Sequence, residues 1–251
     1  MPHSAELVLV TPVWNDSRRL ARFGPLLADA IARSGRSIDW IIADDGSDPL
    51  ERDELSRLRD EFDSQGAAVR LHFAAEHRGK GAVIREAWSL ETSAPWLAFV
   101  DADGAVTAGE MLRLIDHALD AGTSTIAVRQ RTAQTRIVES PRRWLYHHAF
   151  IFATHVLLGL RCGDPQCGAK VISRGDFMAV SGVLREDGFA FDTELLATLQ
   201  AHGGTWGELP VSWTEIKGGK VRPFRDGWRM LRALIAIRGR ISSRAADPDR
   251  P

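Results

Sequence analysis

Two carboxylates one residue apart, in Asp101-Ala102-Asp103-Gly104, are the residues whose types and spacing point most directly to chemistry. They follow Trp96-Leu97-Ala98-Phe99-Val100, an apolar run with aromatic and β-branched members that reads as a buried strand. Alternate side chains of extended chain point the same way, so both carboxylates can face one spot. Converging carboxylates repel unless a cation lies between them. Hard oxygen ligands suit Mg²⁺ or Mn²⁺, ions that also bind diphosphates. The competing reading is an Asx-Gly turn that carries a surface aspartate pair.

The elements that must position this pair form a regular series. Leu7-Val8-Leu9-Val10 is a short strand, followed by a helix over about 18–31. Trp40-Ile41-Ile42-Ala43 is a second strand and ends on the turn Asp44-Asp45-Gly46-Ser47-Asp48. A helix over 51–62, an alternating strand over 69–73, a helix over 80–90 and the strand over 96–100 complete four β/α units. Such a series predicts an α/β fold with a doubly wound, mainly parallel sheet and right-handed crossovers. Ligands of these sheets bind outside the carboxyl ends of the strands. Thr11-Pro12, Asp44-Asp45 and Asp101–Asp103 all fall at predicted strand ends, which favours the functional reading of the acidic pair.

The second half is less regular. A helix over 110–121, a strand over 124–129, an Arg-rich loop and an apolar helix over 144–160 lead to Gly163-Asp164-Pro165-Gln166-Cys167-Gly168. A helix over 189–201 and a strand over 209–213 follow. The helix over 144–160 is uncharged but interrupted by His147, His148, Thr154 and His155, so it reads as buried or interfacial, not membrane-spanning. The two adjacent histidines point to different faces and do not suit one metal.

Composition sets the bounds. The chain has 251 residues, 44% hydrophobic and 26% charged, with a net charge of −1, which suits one globular domain and argues against general nucleic-acid binding. Two cysteines, Cys162 and Cys167, cannot make a disulfide framework and read as packing residues. No charged signal start is present, so a cytoplasmic setting is expected. Between Ile216 and Arg244 nine Lys and Arg residues face the single acid Asp226, with Phe224, Trp228, Leu231, Leu234 and Ile235 interleaved at roughly helical spacing. A basic amphipathic helix of this kind suits peripheral contact with the inner face of the cytoplasmic membrane; a helix packed on the domain is the alternative.

The order of motifs resembles inverting family 2 glycosyltransferases of the GT-A fold, especially the polyprenyl-phosphate (dolichyl-phosphate) glucosyl- and mannosyltransferases. The segments that carry the likeness are Val10-Thr11-Pro12-Val13-Trp14-Asn15-Asp16, Ile41-Ile42-Ala43-Asp44-Asp45-Gly46-Ser47 and Arg78-Gly79-Lys80-Gly81. Asp101-Ala102-Asp103, Asp164-Pro165-Gln166-Cys167-Gly168-Ala169-Lys170 and Phe189-Ala190-Phe191-Asp192-Thr193-Glu194-Leu195 complete it. It implies a single GT-A domain over 1–244: a nucleotide-sugar half (6–104), an acceptor half (105–215) and the basic segment (216–244), with a tail over 245–251.

The resemblance also implies roles. Thr11, Pro12, Trp14, Asp16, Asp45, Lys80 and Asp101 would meet the donor, and Asp45 would accept a hydrogen bond from the base of a UDP or GDP donor. Asp101 and Asp103 would hold Mg²⁺ or Mn²⁺. Asp164 and Asp192 would stand at the reacting sugar, either of them a base for a hydroxyl acceptor, with Glu194 completing an acidic pair with Asp192. Lys170 shares the Asp164 loop.

A phosphate monoester acceptor is already mostly anionic near pH 7, its second pKa being about 6. It needs cations more than a base, and Arg129, Arg131, Arg142, Arg143, Lys170, Lys220 and Arg222 are candidates. The expected reaction is transfer of a hexose from the nucleotide sugar to a polyprenyl phosphate. The alternatives are a soluble acceptor or a catalytically silent, membrane-associated partner. The departures lie on the acceptor side: Pro165 and Ala169 stand where Thr and Phe are usual, and Val128-Arg129-Gln130-Arg131 replaces the usual Gly-Ser-Arg.

Overall fold

The computed structural model describes residues 5–90, 93–216, 218 and 223–246, the side chains of 223–226 and 244–246 excepted. A seven-stranded sheet has the order β3-β2-β1-β4-β7-β5-β8, formed by β1 (Leu7–Val13), β2 (Ile38–Asp44), β3 (Ala68–Phe73), β4 (Trp96–Val100), β5 (Thr125–Val128), β7 (Ala169–Ser173) and β8 (Gly207–Pro210). A two-residue ladder joins β6 (Ile137–Val138) to β9 (Trp213–Thr214). The strand expected over 209–213 is therefore split between two sheets.

Strands β1 to β4 are parallel; the apolar runs that predict β1, β2 and β4 are buried on both faces, whereas the alternating β3 at the sheet edge buries only Val69. Helices α1 (Ser17–Arg33), α2 (Pro49–Ser64) and α4 (Ala108–Ala121) share one core with Leu7, Leu9 and Trp40. Helices α3 (Lys80–Leu90), α6 (Arg174–Ser181) and α7 (Phe191–Ala201) share another with Val8, Val10 and Phe99. A third cluster gathers α5 (Pro141–Leu158) and α8 (Pro223–Ala246) around Ile126, Leu196, Leu234 and Ile237. This is the GT-A fold.

One strand escapes the sequence pattern and does most to build the site. β7 runs antiparallel between β4 and β5, pairing Val100 with Ala169, so its start lies beside the carboxyl end of β4. The loop over 164–168 thereby joins the edge where β1, β2 and β4 end. Two expectations change with it. Thr11 is not at a strand end: β1 continues to Val13, and Thr11 is fully buried, its Oγ1 accepting from Trp40 Nε1 at 2.9 Å. Lys170 is not in a loop; it is fully buried within β7.

Candidate active site

On the β1/β2 side the site begins with a turn held by polar contacts. Asn15 adopts φ of 44°, its N–H donates to Ser47 Oγ at 2.7 Å, and its Oδ1 accepts from Asp48 N at 2.8 Å. This presents Trp14, 38% exposed, which stacks on His77 with ring centroids 3.8 Å apart. His77 Nδ1 lies 2.7 Å from Asp45 Oδ2, and Asp45 Oδ1 accepts from Arg78 N at 2.9 Å. His77 escaped the sequence reading because a lone histidine in Glu76-His77-Arg78 carries no signal until Trp14 is seen above it. Pro12 sits half-buried on β1 opposite Ala43, and Asp16 pairs with Arg19 at 3.2 Å.

Beyond β4, Asp101 and Asp103 follow one another, near enough for the charge of one to act on the other. Asp101 N donates to Gly168 O at 2.9 Å. A Cβ at Gly168 would collide with the Asp101 carboxylate, so the absent side chain keeps that carboxylate's space. Partial desolvation raises the half-exposed Asp101 carboxyl, Lys80 opposes the rise, and the nearby charges of Asp103 and Asp192 add to it; it stands above the ordinary aspartate value. Asp103 Oδ1 accepts from Ala105 N at 2.9 Å, while its Oδ2 lies 3.8 Å from Arg19. Two under-compensated carboxylates fit a Mg²⁺ or Mn²⁺ that takes its remaining ligands from a diphosphate and water. Among the described residues no group of three or more His, Cys, Asp or Glu completes a site from protein alone.

The acceptor-side acids are arranged differently. Lys80 Nζ bridges Asp101 Oδ1 at 2.8 Å and Asp192 Oδ2 at 3.0 Å. Lys170 Nζ reaches Asp192 Oδ1 at 2.8 Å and Cys167 O at 2.9 Å. Burial lowers the Lys80 ammonium, but Asp101 and Asp192 outweigh it and raise it above the ordinary lysine value. Burial raises the Asp192 carboxyl, and the two lysines more than reverse that, holding it below the carboxylate range. Lys170, expected to meet an acceptor phosphate, instead lies beneath Asp192 as its counter-charge.

Asp164 is held more tightly still. Arg129 donates to both of its oxygens, at 2.6 and 2.9 Å, and its NH2 also donates to His147 Nδ1 at 2.8 Å. Burial raises the Asp164 carboxyl, and Arg129 outweighs it and leaves it lowered. Burial also lowers His147, to about 4. Arg129, another expected phosphate ligand, is therefore spent on Asp164. Neither Asp164 nor Asp192 is placed as a free base.

Glu194 does not join Asp192 at the site. Two residues apart on a helix, Asp192 and Glu194 point to different sides. Glu194 Oε2 accepts from Arg185 N and Glu186 N at 2.9 and 2.7 Å, away from the site.

Arg143, half-buried on α5, lies 5.8 Å from the Trp213 ring centroid, and the Arg129 guanidinium lies 5.0 Å from the same ring. Burial, then the charge of Arg129, lowers its pKa against the pull of Glu215, Asp103 and Glu139, and among the described residues no carboxylate lies within ion-pair distance of it. Arg131 is exposed after β5, Arg142 is exposed beside Tyr146, and Lys220 and Arg222 lie outside the described residues. Cys162 and Cys167 are pushed up to about 12 by burial, as suits packing thiols.

Three comparisons bear on this geometry. The family described as Glycosyl transferase family 2 matches residues 8–180. The dolichyl-phosphate beta-glucosyltransferase of Saccharomyces cerevisiae is 27% identical over 250 residues, covering 92% of this chain and 74% of that protein. The human protein of the same name is 27% identical over 252 residues, with 93% and 75% covered. Among solved structures, glucosyl-3-phosphoglycerate synthase from Mycobacterium tuberculosis, in complex with Mn²⁺, UDP and glucosyl-3-phosphoglycerate, superposes with a TM-score of 0.63 at 15% identity, over 95% of this chain and 80% of that one.

Proposed function

Because the chain belongs to glycosyl transferase family 2 and is a glycosyltransferase, we propose that it moves a hexose from a UDP- or GDP-linked donor to a polyprenyl phosphate, with inversion and with a divalent metal. The observation that supports this acceptor is the state of the two acids a base would need. Asp164 and Asp192 are each clamped by cations and held below the ordinary carboxylate range, so each is a poor proton acceptor at neutral pH. A phosphate monoester brings its own negative oxygen and needs no base. Arg143, with no carboxylate of its own, is the cation that would receive it.

In the proposed step an acceptor phosphate oxygen bonds to the anomeric carbon while the bond from that carbon to the nucleotide diphosphate breaks. No clamped carboxylate is available to form a glycosyl-enzyme, which favours one displacement and therefore inversion. Asp101 and Asp103 would hold the Mg²⁺ or Mn²⁺, whose chemistry there is to neutralise the charge growing on the departing diphosphate. Lys80, beside Asp101, adds a fixed positive charge at the same place. Asp45, with Trp14 and His77 above it, would hold the base of the donor.

The lipid acceptor also asks for contact with a bilayer. Among the described residues no helix is long and apolar enough to cross one. α5 instead exposes Leu145, Phe152 and Val156, and α8 exposes Trp228 and Ile235 among Arg229, Arg232 and Arg238. The two helices pack on each other, and exposed apolar side chains flanked by arginines suit an anionic membrane surface.

The test is a donor screen with a polyprenyl-phosphate mixture and Mn²⁺ or Mg²⁺, scored for nucleotide release and for labelled sugar extracted into organic solvent. The relatives' names make glucose the first sugar to try. Metal-dependent label in the organic phase supports the reading. Label that stays in water with a small phosphorylated or hydroxylic acceptor replaces the lipid by a soluble molecule.

A further inference from the structure

Resting on the assignment of Lys80 and Asp192 to the reaction centre, we propose that Arg240 on the C-terminal helix is a positioning residue for the transfer, seating both through the loop over 182–190. Arg240 is one cation shared by carboxylates of two elements: its NH2 donates to Glu186 Oε1 at 2.6 Å and Glu194 Oε1 at 2.7 Å. Glu194 lies in the first turn of α7, two residues after Asp192. Its other oxygen takes the backbone N–H groups of Arg185 and Glu186, so its carboxylate fastens the loop to α7.

The loop in turn fastens α3. The Asp187 carbonyl accepts from Gly81 N and Ala82 N, at 2.7 and 3.1 Å. These are first-turn donors that a helix cannot satisfy internally, and Lys80 is the first residue of that turn. The fit leaves no slack. A Cβ at Gly79 would strike the Asp187 carbonyl, and one at Gly81 would strike Phe191 and the Glu186 carbonyl. A displacement of the loop therefore displaces the backbone that carries Lys80. Arg240 thus holds the lysine through Asp187 and the aspartate through Glu194.

Arg78 and Arg85 also pair with Asp187, and Arg85 NH1 donates to Glu186 O at 2.5 Å. These contacts do not involve α8, so loss of Arg240 should loosen the loop without unfolding it. Arg240 itself bonds Glu186 and Glu194 and neither Asp45 nor Asp101, so any effect on the donor passes through the loop.

The experiment compares the full-length protein with Arg240→Ala and Arg240→Lys, measuring kcat and donor KM separately by nucleotide release. It also measures amide hydrogen exchange at Gly81 and Ala82. Arg240→Ala is expected to lower kcat by about ten- to a hundredfold, as a misplaced reacting group does, with donor KM changed by less than about threefold. Exchange at both amides should rise by about tenfold as their acceptor loosens. Arg240→Lys should recover part of kcat. Unchanged exchange at Gly81 and Ala82 in a folded Arg240→Ala protein overturns the proposal, whatever its activity, because the arginine then anchors only α8. Should Arg240→Ala not fold, Glu186→Gln, which spares the Arg240–Glu194 pair, is read by the same exchange. A wild-type protein that transfers nothing to any polyprenyl phosphate defeats the proposed acceptor; the exchange result still decides the Arg240 link.

Discussion

The two groups of acids that meet at the sheet edge are opposites. Asp101 and Asp103, at the end of β4, have side chains 39% and 26% exposed and carry more negative charge than Lys80 and a distant Arg19 compensate. Asp164 and Asp192, brought in by β7 and α7, are 1% and 3% exposed, and each has its full complement of cations. The first pair is built to gather positive charge from outside. The second holds positive charge in place and leaves Arg143 without a carboxylate. A donor site that needs a cation and an acceptor site that needs an anion would differ in this way, although both are lined by aspartates.

The largest effect that would break the contrast is on stability. Asp164→Asn keeps the shape but leaves Arg129 buried without its counter-charge, and should cost about 3–5 kcal/mol in urea unfolding. A cost under about 1 kcal/mol would mean that solvent replaces the aspartate, and the acceptor side would no longer count as closed. Acid gives a second view of the cluster. His147 is neutral when folded, with its pKa near 4 against about 6.5 in an unfolded chain, so as pH falls from about 6.5 towards 4 the unfolded state takes up the proton first and stability declines. Asp164, depressed when folded, contributes stability above the ordinary aspartate value and loses it as pH falls through its own lower value. His147→Gln, which can still accept from Arg129, should flatten the first decline in unfolding curves collected across that window while sparing the second.

Next in size is catalysis on the open side. Asp103→Ala removes one of two proposed metal ligands and should lower kcat by about 10²- to 10³-fold, with a much weaker response to added Mn²⁺. Thermal unfolding should barely move, since Asp103 makes one backbone contact and one long ion pair. A stability loss comparable to that of Asp164→Asn would make the two pairs alike and remove the argument for a cation.

How much of this could be read from the chain follows the same division. β1, β2 and β4 are parallel strands covered on both faces, so they appear as unbroken apolar runs, and Asp45, Asp101 and Asp103 declare themselves by standing at their ends. The six motif segments in order then lead to the GT-A fold. β7 is hidden because Lys170 interrupts Ala169–Ser173, and a lysine in a central strand makes sense only when Asp192, 22 residues away, stands against it. Arg129 and Asp164 are 35 residues apart, and Arg240 and Glu194 46. No local period encodes such pairs. Arg129 and Lys170 could therefore be recognised as cations near the site, but not as cations already engaged.

A smaller effect sharpens the acceptor side. Arg143→Ala removes a half-buried cation on that side that has no carboxylate at ion-pair distance among the described residues. A lost charge-assisted contact of about 1.5–3 kcal/mol corresponds to a rise in acceptor KM of about ten- to a hundredfold. Donor KM should change less than acceptor KM, although the charge of Asp103 reaches Arg143. A change confined to the donor would move Arg143 to the other side of the comparison and leave the acceptor phosphate without a receiver.

The smallest effect belongs to the stack of Trp14 on His77. His77→Ala leaves the Asp45 carboxylate its bond from Arg78 N, and removes both the ring beneath the tryptophan and the imidazole nitrogen 2.7 Å from Asp45 Oδ2. An aromatic contact of about 0.5–1.5 kcal/mol should appear as a two- to tenfold weakening of nucleotide affinity, measured by calorimetry with UDP and with GDP. kcat should not change, because the base of a donor nucleotide is far from the bond being broken and is held equally before and during transfer. A fall in kcat with affinity intact would tie the stack to the reacting sugar. The open side would then gather a cation and align the donor in one act, and the separation between holding the nucleotide and drawing charge from it would have to be given up.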